Sequence, residues 1–170
     1  YRGHPNALAV LLDLLVYTAV FLAMIYIALE DIETSSVPTA VSIMMMIFFG
    51  ACLLMRQSFD EISRLSFFAH FLGLLGFGAI VVFLSYGSNE RWISKEYIEV
   101  GALVGFVTGY PLVIFNLLIS FLALALFCLI RRILRKENLW LPFAPFITFG
   151  AILTIFFGSH FINWCIGSLS

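Results

Sequence analysis

The chain has 170 residues, of which 62% are hydrophobic and only 11% charged, with a mean hydropathy of +1.07. That leaves too little polar surface to clothe a soluble globule of this size, and it specifies an all-α, polytopic integral membrane protein in contact with the lipid bilayer. A formal net charge of −1 gives no footprint for nucleic acid, so function is to be sought in particular groups within or at the edge of the membrane.

A membrane span needs roughly 20 apolar residues. In chain order the candidates are about 7–29, 38–56, 66–84, 92–109, 111–130 and 142–166, giving about six helices in a single membrane domain over 1–170. The first run is too long for a signal-peptide core and reads as a helix. Within it Asp13 lies near one end, where it can reach the interface or pair with a neighbour. Between the first and second runs comes Asp31-Ile-Glu-Thr-Ser-Ser-Val-Pro38, a charged segment that has to sit where lipid meets water. Asp31 stands where the first helix is expected to end, against the partly negative C-terminal pole of that helix. An acid placed against the dipole asks for a reason.

The fourth run opens with Lys95, Glu96 and Glu99, and it meets the fifth at Gly109-Tyr110-Pro111, a pairing that predicts a tight turn or kink. If all six runs cross, one face carries Arg91, Lys95, Arg131, Arg132, Arg135 and Lys136, and the other Arg2, Arg56 and Arg64. The positive-inside rule then puts the Asp31 loop in the cytoplasm and both termini outside. Cys52, Cys128 and Cys165 lie in apolar runs without CxxC spacing, which reads as buried free thiols and no zinc site. His4, His70 and His160 share no ligand spacing, so no metal is expected.

Four ordered segments carry a resemblance. They are Ala28 to Pro38, with Asp31 seven residues before Pro38; Lys95 to Gly105, ending Val-Gly-Ala-Leu-Val-Gly; the apolar run from Leu112 into Arg131-Arg132; and Leu141-Pro-Phe-Ala-Pro-Phe146 leading to Gly150-Ala151. Together they resemble the peptidase domain of the type IV prepilin peptidases, polytopic aspartic proteases that trim pilin and pseudopilin leaders. The resemblance implies a membrane aspartic endopeptidase in a prokaryotic inner membrane, acting on a pilin-like precursor helix, with Asp31 as one catalytic acid and no cofactor. Without the family's cysteine-containing cytoplasmic domain, no methyltransferase activity and no S-adenosylmethionine site are expected. Glu30 and Glu33 would suit a basic leader electrostatically.

The second acid departs from the family's pattern. Counting back from Lys95, Ile93 occupies the acid's position in the Gly-x-Gly-Asp motif, with Glu90 and Trp92 where the glycines belong. Aspartic proteolysis needs two carboxylates sharing a proton, one activating water and the other polarising the scissile carbonyl. Asp31 alone cannot fill both roles. Glu90 is the first replacement on a gapped alignment, and Glu96 and Glu99 continue the helical stripe of Ile93. The other class of function is a catalytically silent homologue kept for binding or assembly, which the loss of both motif glycines favours. A small transporter using Asp13 and Asp31 lacks the expected inverted repeat.

Overall fold

A computed structural model describes residues 7–58, 64–87, 93–133 and 142–167. They form six α-helices: α1 (Ala7–Thr34), α2 (Thr39–Ser58), α3 (Arg64–Gly87), α4 (Tyr97–Thr108), α5 (Leu112–Ile133) and α6 (Ala144–Gly167). Four of them contain stretches long and apolar enough to cross a membrane: Val10–Thr34, Thr39–Arg56, Leu65–Gly87 and Leu112–Ile133. Large apolar side chains such as Leu22, Met44, Phe83, Leu118 and Leu122 point away from the protein. On an integral membrane protein these face lipid, where exposed apolar surface costs nothing.

The fourth helix differs from the expected span over 92–109. It has 12 residues, which at 1.5 Å per residue is about 18 Å, well short of a hydrocarbon core of about 30 Å. Residues 93–96 form a bend and turn, and Tyr97 is the first helical residue. What α4 lacks in length it has in burial, with Tyr97, Val100, Leu103, Val104, Phe106 and Val107 all inside the core. It packs against α2, α3, α5 and α6, as a helix whose residues beyond Glu99 are almost all apolar must.

Glycine makes the α3–α4 seam. A Cβ on Gly105 would collide with the carbonyl oxygen of Gly73, and one on Gly73 with that of Gly105, so the two backbones touch directly. Small residues at such crossings are the membrane substitute for a hydrophobic driving force. The helix ends at Gly109, whose φ of 67° and ψ of 168° lie in a region open to glycine and closed to residues with a Cβ, and the Tyr110–Pro111 peptide bond is cis. The Gly-Tyr-Pro segment is the turn its residues predict. The α5–α6 seam is polar: Ser120 Oγ lies 2.9 Å from Asn116 Oδ1 inside the bundle, and Gly150 leaves room for both.

The first helix runs three residues beyond Asp31. Thr34 donates to the Glu30 carbonyl at 2.8 Å, and Ser35, at φ 56°, ends the helix with its N–H on the Asp31 carbonyl at 3.1 Å. Pro38 bars a helical conformation at Val37 and so fixes where the loop turns into α2. Asp31 is therefore in the last turn of α1, and the true loop is Ser35 to Pro38.

One local expectation holds and another needs adjusting. Asp13 pairs with Arg56 across α1 and α2, each side chain about one-third exposed. Cys52 and Cys128 are free thiols, but Cys52 is only half-buried and Cys128 is exposed on α5. An apolar run in a bilayer sends side chains toward lipid as well as toward the core, so apolar sequence context does not imply burial.

Candidate functional site at the helix ends around Asp31

Asp31 is fully buried, the only buried carboxylate residue among the described residues. Its Oδ1 accepts a hydrogen bond from the Tyr97 hydroxyl at 2.7 Å, and its Oδ2 accepts from the backbone N–H of Ala144 at 2.9 Å. The Tyr97 oxygen in turn accepts from the N–H of Phe143 at 3.4 Å. Three helix ends meet here: the C-terminal turn of α1, the first residue of α4 and the first residue of α6.

This arrangement supplies the reason for an acid at the wrong end of α1. The carboxylate opposes the dipole of its own helix, but it sits on the positive N-terminal poles of α4 and α6 and caps an otherwise orphan N–H of α6. Pro142 and Pro145 flank that start, where proline's missing N–H is tolerated. The Phe143 ring closes over Tyr97 edge-on, with centroids 5.6 Å apart at 87°, and is itself buried. The site is polar at its centre and apolar around it.

The other acids distribute unevenly. Glu96, exposed, reaches back to the loop and accepts from the Val37 N–H at 3.2 Å. Its carboxylate is near enough for its charge to act on Asp31, but it does not share a hydrogen bond with it. Glu99 is half-buried on α4, and its Oε2 is buried without a hydrogen-bond partner among the described residues. Glu30 is half-buried and Glu33 exposed beside Asp31 in the last turn of α1. Glu90 lies outside the described residues. Ile93, at the position of the missing acid, belongs to the hydrophobic core.

No family model matches the chain, and neither a curated protein nor a solved structure shows significant similarity to it. What the site can do rests on its own chemistry. Tyr97 is the member that sequence reasoning missed. Its position two residues after Lys95 is plain in the sequence, but a tyrosine at the start of an apolar helix looks like an interfacial anchor until α1 is packed against it. The α6 amide could not be read at all, because a backbone donor has no sequence signature.

Proposed function

We propose that this chain works without catalysis, as a membrane-embedded component that binds a partner helix on a framework resembling that of the prepilin peptidases. The observation that carries this reading is the state of Asp31. Its side chain has no solvent exposure, and each oxygen holds a fixed donor from a different helix. A general base must have its water within hydrogen-bond reach, and the enclosing Tyr97, Phe143 and Ala144 leave the carboxylate in the role of a latch between helix ends. The partner that suits the exposed Glu33 and half-buried Glu30 is a pilin-like precursor whose hydrophobic helix lies in the bilayer and whose basic leader meets these acids.

A second reading, an aspartic endopeptidase cutting that leader, is favoured by one contact. Glu96 is anchored on Val37 of the same loop that follows Asp31, so Asp31 in α1 and Glu96 in the turn before α4 converge on one short segment. In this reading Glu96, or Glu90, is the second acid.

One experiment separates the two. The purified chain is reconstituted with a membrane-embedded pilin precursor, and cross-linking and leader cleavage are followed together. The binding reading expects cross-linking without cleavage, weakened when Glu30 and Glu33 are both changed to Gln. Cleavage by the wild type that disappears in Asp31→Ala and in Glu96→Gln or Glu90→Gln establishes the peptidase instead.

A further inference from the structure

A cavity of about 320 Å³ opens at the other end of the bundle, near the start of α3 and the α4–α5 turn. From Tyr97 to Thr108, α4 rises about 16 Å, so this cavity is remote from Asp31. Its volume is at the lower end of the range for small-ligand pockets, and its lining is half polar. The polar members are Tyr17 from α1, Ser66 and His70 from α3, Thr108 from α4 and Tyr110 from the turn, with Ile155 of α6 among the apolar ones.

The hydrogen-bonding character of the lining follows from its fixed bonds. His70 Nδ1 lies 2.8 Å from the Phe106 carbonyl oxygen, which can only accept, so Nδ1 carries the hydrogen. A neutral ring then presents Nε2 as an acceptor. The imidazole is held in place by the rings of Phe49 and Phe106, both edge-on to it. Gly109 permits this fit, because a Cβ there would come within 3.0 Å of His70 Nδ1. Thr108, nearly fully buried, spends its hydroxyl hydrogen on the Val104 carbonyl at 2.8 Å, which leaves its oxygen as an acceptor too. His70 and Thr108 line the cavity as rigid acceptors, and the hydroxyls of Tyr17, Ser66 and Tyr110 can both donate and accept, a set matched by a ligand that carries several hydroxyl groups of its own.

Charge narrows the class. The Asp13–Arg56 pair is near enough to act on Tyr17, and Arg56 acts on His70 as well. The pair sums to zero, so the surroundings select neither a cation nor an anion. Tyr110 and Ser66, both exposed, stand at the mouth, with the tyrosine at the level where such residues mark a membrane–water interface. We infer that this cavity binds a neutral polyhydroxylated group, a glycerol- or hexose-sized moiety, presented at the interface as the headgroup of a lipid. This site is independent of Asp31 and of the function proposed above.

The test is native mass spectrometry of the full chain in nanodiscs containing a hexosyl diacylglycerol, a phosphatidylglycerol, a phosphatidylethanolamine or a phosphatidylcholine, with free glycerol and free hexose as separate arms. The expected result is at least tenfold stronger retention of the two hydroxylated lipids than of phosphatidylcholine, with phosphatidylethanolamine no better than phosphatidylcholine. His70→Asn keeps a donor for the Phe106 carbonyl but removes Nε2, and Thr108→Val removes the second acceptor. Each should abolish that preference in protein that remains monodisperse. Equal retention of all four lipids by the wild type overturns the inference without reference to any variant, as does a preference unchanged in both variants. Free polyol binding as tightly as the lipids retains the chemistry and overturns the lipid source.

Discussion

Replacing Asp31 with alanine removes the acceptor for two buried donors, the Tyr97 hydroxyl and the Ala144 N–H. Each donor left unpaired in a buried site costs about 1–3 kcal/mol, while the charge lost at the α4 and α6 N-termini is offset by relief of its opposition to the α1 dipole. The total for the two donors, about 2–6 kcal/mol, is a large part of the 5–15 kcal/mol typical of a folded domain. Tyr97→Phe retains the ring against Phe143 and removes only the hydroxyl, so about 1–2 kcal/mol is expected. Because the two groups share one bond, the double variant should cost less than the sum, with a coupling of about 0.5–3 kcal/mol. The measurement is reversible unfolding by denaturing detergent titrated into mixed micelles, read on all four members of the cycle. An Asp31→Ala protein within about 0.5 kcal/mol of wild type, or an additive double variant, would refute the latch.

Other consequences are simpler to check. Glu96→Gln, at an exposed site, should change stability by no more than about 0.5 kcal/mol in the same unfolding assay, which leaves any effect on cleavage attributable to chemistry. Gly105→Leu drives a side chain into the Gly73 backbone and should prevent the α3–α4 seam from forming, lowering the yield of monodisperse protein. Gly76→Ala, where a Cβ meets nothing within 4 Å, is expected to be neutral or to stabilise the helix by up to about 1 kcal/mol. Asp13→Asn breaks an ion pair that is one-third exposed, so its loss should cost about 1 kcal/mol or less by the same titration.

Much of the fold is legible without coordinates. Hydropathy over some 20 residues marks a span, because the bilayer sets both length and composition, and it locates all six helices. Gly109, Tyr110 and Pro111 announce their turn for a local reason, since a glycine at positive φ and a following proline cannot continue a helix. Asp31 stands out from sequence alone as an acid opposing a helix dipole. Its neighbours do not. The length of α4 eluded hydropathy because an apolar helix buried in protein and one crossing lipid have the same composition, and only packing on α2, α3, α5 and α6 distinguishes them. The partners of Asp31 came 66 and 113 residues later in the chain, one a hydroxyl and the other a backbone amide without a side-chain signal. Composition and helix polarity alone make this a helical membrane protein with an acid that needs compensation. What compensates it is set by long-range packing, because the α4 and α6 N-termini become neighbours of α1 only when the helices assemble.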